Sequence, residues 1–123
     1  EAVHWQRFDE AAIPGLVASG KTVFVDVTAD WCLTCKANKA LVIDREPVSG
    51  RLNGKNVVAM VADWTKPDPA ISDYLAKFGR YGIPLNVAYG PKLPQGVALP
   101  ELLTASDVLQ ALESAGRSAT GKP

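Results

Sequence analysis

The sequence is short of most features that announce a function. It has no charge of one sign to spare: Lys plus Arg number 13, Asp plus Glu number 13, and the formal net charge is zero. No overall field therefore draws the chain to nucleic acid or to anionic lipid. No apolar run approaches the roughly 18 residues of a membrane span, so the segment inserts in no membrane by itself. No charged start followed by an apolar stretch marks a signal peptide. The chain thus reads either as cytosolic or as a mature or excised piece of something larger. Histidine occurs once, at His4, and methionine once, at Met60. His4 lies near the terminus and reads as a surface residue. Only two cysteines are present, too few for a disulfide framework. Stability must come from an apolar core, and a chain of 123 residues is long enough to bury one. With 47% hydrophobic and 21% charged residues, the composition is that of one globular domain and excludes a disordered chain.

What is present is concentrated. The stretch Val23-Phe24-Val25-Asp26-Val27 is an apolar, β-branched run of the length of a buried strand. It leads through Thr28-Ala29-Asp30-Trp31 into Cys32-Leu33-Thr34-Cys35. The residues from Lys36 to Ile43 contain neither Gly nor Pro and read as helix. Two cysteines three apart, at a strand-to-helix join, describe a dithiol at a helix N-terminus. That is the arrangement thiol–disulfide exchange requires.

The rest of the chain alternates strand and helix. Trp5, Phe8, Ile13, Leu16 and Val17 recur at roughly helical spacing, with Asp9 as N-cap of a helix to about Ala18 and Gly20 closing it. The helix after the cysteines ends before Pro47, and Val48 to Gly54 adds a short helical turn. Val57 to Ala62 predicts a second central strand, parallel to the first. Asp68-Pro69 gives an N-cap and a first-turn proline for a helix that Gly79 terminates. Leu85 to Tyr89 reads as a third strand, Gly90 to Gly96 as a turn or loop, and Val97 to Leu99 as a short antiparallel edge strand. Thr104 and Asp107 form a capping box for a last helix from Ala105 to about Ala115. Residues 117–123 read as a frayed tail. This order predicts an α/β, thioredoxin-like fold over residues 1–123. Its central mixed β-sheet has about four strands, with helices on both faces.

The chemistry assigns roles within this frame. Cys32, at the N-cap, faces unpaired amides and the positive end of the helix dipole, which favour a thiolate; it is the attacking sulfur. Cys35, a turn deeper, is more buried and resolves the mixed disulfide. Leu33-Thr34 adds no charge or histidine, so the expected potential is reducing or intermediate. Asp26 sits among apolar strand residues, where burial raises a carboxyl pKa; it is placed to take the proton of Cys35. A solvent-facing strand residue is the alternative. Pro84 follows Ile83 just before a strand, and a cis bond there would set extended backbone beside the cysteines. Trp31 either shapes a docking surface with Ile83 and Pro84 or fills core, and Trp64 reads as scaffold. The competing explanation of the pair is a copper or zinc module. Tetrahedral zinc takes four ligands, and here His4, Met60 and scattered carboxylates are the only company.

The runs Val25 to Asn38, Ala62-Asp63-Trp64-Thr65, Phe78 to Pro84 and Leu99 to Thr104 resemble the C-terminal thioredoxin-like domain of the DsbD family of thiol:disulfide interchange proteins, the ScsB subgroup above all. The resemblance covers most of the chain. It implies a periplasmic protein-disulfide reductase domain of a bacterial inner-membrane protein. Such a domain takes electrons from a polytopic membrane domain and passes them to an N-terminal domain that serves isomerases or cytochrome c biogenesis. Cys32, Cys35, Asp26 and Pro84 take the family's places of nucleophile, resolver, buried acid and cis-proline. No cofactor is implied beyond the redox-active disulfide, and the partners are protein thiols and disulfides. A free-standing reductase for cytochrome c maturation is the alternative within the same chemistry. One position departs: some members carry an acid four residues after the second cysteine, where this chain has Lys39.

Overall fold

Strand β2 (Thr22–Thr28) is the spine of the molecule, because its side chains are buried on both faces. In the computed structural model, which describes residues 2–116, it is flanked by β3 (Val57–Asp63), parallel, and β4 (Leu85–Gly90), antiparallel. Outside these lie β1 (Trp5–Arg7) and β5 (Leu93–Ala98), giving the order β1-β3-β2-β4-β5. The tail at 117–123 lies outside the described residues.

Period-two alternation along β2 sorts the two cores. Val23, Val25 and Val27 face α1 (Ile13–Ala18) and α4 (Pro69–Lys77), where they meet Ile13, Val17, Ile71, Tyr74 and Leu75. Phe24 faces the other way, onto α3 (Val48–Leu52) and α5 (Ala105–Ala115), against Leu52, Val108 and Leu112. Each such side chain, fully buried, contributes about 1.5–3 kcal/mol. By the same alternation Asp26 shares the face of Phe24. On β4, Asn86 lies opposite Asp26 in register and Ala88 lies opposite Phe24.

Four of the five expected cap signals operate as chemistry dictates. Gly20 closes the segment of α1 with φ of 94°; Asp68 accepts from the Ala70 and Ile71 amides; Gly79 ends that segment with φ of 70°; and Thr104 and Asp107 complete a capping box. Asp9 is the exception. It precedes a 3-10 turn (Glu10–Ala12) and its side chain caps nothing.

The sheet has five strands where about four were expected. The added strand is β1: Trp5–Arg7 pairs with Ala59–Val61, and the Phe8 amide continues the ladder to Val61 O at 3.0 Å. The spacing of Trp5 and Phe8 is therefore that of a strand running into a turn. β5 is longer than expected and begins at Leu93, so Pro94 and Gly96 lie inside a strand. An edge strand tolerates a proline, and a register shift between Ala88 and Gly90 absorbs the irregularity. The helix after the cysteines, α2 (Leu33–Asn38), widens into a π turn (Lys39–Ile43) and stops before Pro47, as expected. Among the described residues no helix is long and apolar enough to cross a membrane.

Candidate redox site

β2 ends at Thr28, and three residues later the chain enters α2 with Cys32 as its N-cap. Extended backbone at Cys32 (φ −93°, ψ 103°) turns its Sγ back over the helix, where it accepts the Cys35 N–H at 3.1 Å. Cys32 and Cys35 are joined as a disulfide with Cα atoms 5.3 Å apart. Their exposures, 6% and 4%, are nearly equal, so the pair differs less in burial than expected. Ile83, from the loop before β4, packs on Ala29, Cys32 and Cys35, and the Ile83–Pro84 bond is cis. Residues about fifty apart in sequence thus meet at the sulfurs.

Asp26 is buried, not solvent-facing. Burial pushes its carboxyl up to about 6 from 3.8, against the pull of the Asn86 amide and the Lys39 cation and with a small push from Asp44. Asn86 Nδ2 donates to Asp26 Oδ1 at 2.9 Å. Lys39, the departing position, lies 3.7 Å from Asp44 and 5.3 Å above the Trp5 ring. Its charge thus acts on Asp26 from the π turn.

Trp31 is 58% exposed, which removes core filling as its role. Its indole N–H donates to Thr65 O at 3.1 Å, and its ring lies 6.4 Å from that of Trp64, which is half-buried against the α1/α4 core. The Asp30 amide donates to Thr65 Oγ1 at 2.9 Å, and the same hydroxyl donates to Asp63 Oδ1 at 2.5 Å. The end of β3 therefore braces the segment that delivers Cys32.

Four contributors were not anticipated from sequence: Asn86, Thr65, Asn38 and Arg80. Asn38, buried on α2, donates to Glu101 O at 2.7 Å and accepts from the Leu103 amide at 3.0 Å. Arg80 donates to Leu99 O at 3.0 Å and Pro84 O at 3.5 Å. An amide in the middle of an apolar strand was the one available signal, and only for Asn86. Of the potential metal ligands, Met60 is fully buried on the α1/α4 face and His4 is exposed. Among the described residues no three His, Cys, Asp or Glu side chains gather at one point.

Known proteins agree with this geometry. The thioredoxin-like family model matches residues 4–91, well over half of the chain. The thiol:disulfide interchange protein DsbD of Vibrio cholerae serotype O1 is 32% identical over 75 residues, covering 61% of this chain and 12% of that protein. The chain therefore matches only a small part of its curated relative. The crystal structure of the reduced C-terminal domain of Neisseria meningitidis DsbD superposes with a TM-score of 0.64 at 22% identity, covering 86% of this chain and 92% of that one. A thioredoxin from Thermus thermophilus superposes with a TM-score of 0.67 at 19% identity, covering 92% and 86%. Both structural likenesses speak for the fold. With a disulfide-bonded Cys-Leu-Thr-Cys at the β2–α2 join, the chain belongs to the thioredoxin-like family, as a thiol–disulfide oxidoreductase domain related to DsbD.

Proposed function

We propose that this domain is a periplasmic protein-disulfide reductase, the C-terminal part of a membrane protein of DsbD type. It relays electrons from a membrane-embedded domain to an N-terminal partner domain and so toward periplasmic acceptors, cytochrome c maturation among them. From the runs Val25 to Asn38, Ala62 to Thr65, Phe78 to Pro84 and Leu99 to Thr104 we infer the ScsB subgroup. The observation that carries the reading is the Cys32–Cys35 disulfide at the N-terminus of α2, with Ile83 packed on it and Asp26 buried in the strand that leads to it.

In the reduced domain Cys32 is the attacking thiolate, since its Sγ is the atom that faces a helix N–H. It attacks the partner's disulfide, one partner sulfur leaves as thiolate, and a Cys32–partner disulfide forms. Cys35 then attacks Cys32 Sγ. Its S–H proton passes to the Asp26 carboxylate, the Cys32–Cys35 bond closes, and the second partner sulfur departs with the electron pair. The partner gains two electrons and the domain is oxidised. No cofactor takes part, and the potential is reducing or intermediate. Trp31, Ile83 and Pro84 form the surface on which the partner's chain lies.

Cys35→Ser should trap a mixed disulfide through Cys32 that survives non-reducing electrophoresis, and Cys32→Ser should trap none. Trapping by the opposite variant would reverse the roles. Asp26→Asn should slow resolution at neutral pH with the fold intact. Stoichiometric, tight copper or zinc binding by the reduced protein without exchange activity would replace the proposal with a metal module.

A further inference from the structure

We infer that Asn86 is a positioning residue of the exchange reaction: its side-chain amide holds one oxygen of the Asp26 carboxylate and so leaves the other to take the proton of Cys35. The inference rests on the reading of Asp26 as proton acceptor and adds a residue to it.

Three observations carry it. First, the two residues are register partners on adjacent antiparallel strands, β2 and β4, and their side chains emerge on the same sheet face. Second, both are buried, Asn86 at 1% exposure and Asp26 at 5%, so neither has water as an alternative partner. Third, Asn86 Nδ2 is directed at Asp26 Oδ1 at 2.9 Å, with Val25 O as a second, longer acceptor at 3.5 Å. A buried amide in an apolar strand is costly unless bonded, and what this one bonds is the only ionisable side chain on β2. An N–H donated to a carboxylate favours the anion. Asn86 therefore works against the burial that would otherwise keep Asp26 protonated and useless as a base at neutral pH.

The surroundings of the carboxyl are otherwise simple. Lys39, at the start of the π turn, favours the anion, and Asp44, just past its end, opposes it. The register partner on β3 is Val61, an apolar side chain. With Lys39 already paired to Asp44 and placed over Trp5, the Asn86 amide is, among the described residues, the one side chain hydrogen-bonded to the carboxyl. It also fixes which oxygen is free. With Oδ1 engaged, the transferred proton goes to Oδ2: the Cys35 S–H bond breaks, the Oδ2–H bond forms, the sulfur's electron pair makes the bond to Cys32, and the Cys32–partner bond breaks with the partner sulfur leaving as thiolate.

The test is resolution of a defined mixed disulfide. Cys32 in the reduced domain is derivatised with 5-thio-2-nitrobenzoate. Release of the coloured thiol by Cys35 is then followed in single turnovers from about pH 4 to about pH 9. In the parent, the rate falls on the acid side as Asp26 protonates. Asn86→Leu, close in volume, should move that limb upward by about one pH unit, the size of a hydrogen bond to a charged group. Its rate near neutral pH should fall accordingly. Asn86→Ala should move the limb the same way, which guards against a packing defect peculiar to leucine. In an Asp26→Asn background neither substitution should alter the profile. A limb that stays in place in both single variants, while Asp26→Asn removes it, overturns the role of Asn86 and leaves Asp26 standing. A profile unchanged by Asp26→Asn itself overturns the reading of Asp26 instead. If both Asn86 variants lose the cooperative fold, a carboxyl-carbon NMR titration of Asp26 in the parent and in Asn86→Ser decides: an unchanged titration midpoint sinks the inference.

Discussion

Because burial raises the Asp26 carboxyl to about 6 from 3.8, this one side chain ties the stability of the fold to pH. The unfolded chain ionises first, at the lower value, while the folded protein still holds the proton. Stability is therefore fully present below 3.8, falls as pH rises through the window to about 6, and is level above it. That is the reverse of a salt-bridged carboxylate, and the gap is worth about 3 kcal/mol. Asp26→Asn should match the parent in urea near pH 4 and exceed it by about 2–3 kcal/mol near pH 8, while being the slower exchanger. Equal stability at both pH values would show that the carboxyl is not the buried cost described here. Asn38 makes the opposite kind of contribution, since both ends of its amide are bonded within a buried strap between α2 and the 101–103 segment. Asn38→Ala leaves Glu101 O and the Leu103 amide unpaired. It should cost about 1–3 kcal/mol and speed hydrogen exchange at Leu103; full protection there would contradict the strap. These residues also divide what sequence makes legible. Asp26 stands out because a charge in an apolar run is costly and needs a reason. Asn86 shows only as an amide in an apolar strand, and Asn38 not at all, because an amide is at home on any helix surface; the partners that bury these two lie about sixty residues away.

At the scale of elements, the docking of α5 onto β4 depends on one missing side chain. A Cβ on Gly90 would run into the carbonyl of Ala115 at the end of α5, and backbone cannot step aside as a flexible side chain can. Gly90→Ala should therefore lower the unfolding midpoint more than Thr104→Ala, which removes only a cap bond worth about 1 kcal/mol. A Gly90→Ala protein as stable as the parent would mean that α5 is loosely held. The same contacts explain which elements can be read ahead of a structure. β2, β3, α4 and α5 carry their own signals, apolar runs and caps, within a dozen residues. β1 does not: three residues long, it exists because the open edge of β3, some fifty residues on, offers it a ladder. The reach of β5 through Pro94 is hidden for a related reason, since only its place at the sheet's edge makes that proline harmless.

Across the whole molecule, the exposed large apolar side chains are not scattered evenly. Trp31 and Leu33 flank Cys32 in sequence, Tyr81 stands two residues before Ile83, and Leu102 lies in the segment strapped to α2 by Asn38. Leu33 is 81% exposed and Tyr81 85%, so truncating either should change stability by less than about 0.5 kcal/mol. Leu33→Ser and Tyr81→Ser should nonetheless raise KM for a protein disulfide several-fold and leave reduction of a small aromatic disulfide unchanged. Equal effects on both substrates would place the loss in chemistry rather than in contact.

A surface of this kind invites aggregation, and the two outermost strands bear on that hazard. β1 offers three residues of free edge, and β5 is broken by Pro94 and by Gly96, whose φ is 86°. Neither is a usable template for a foreign strand. Most of the exposed large apolar side chains lie in the segments that carry or adjoin the disulfide, Leu41 and Val97 being the exceptions among the described residues. Contact with another chain therefore favours approach at the disulfide over pairing at a strand edge.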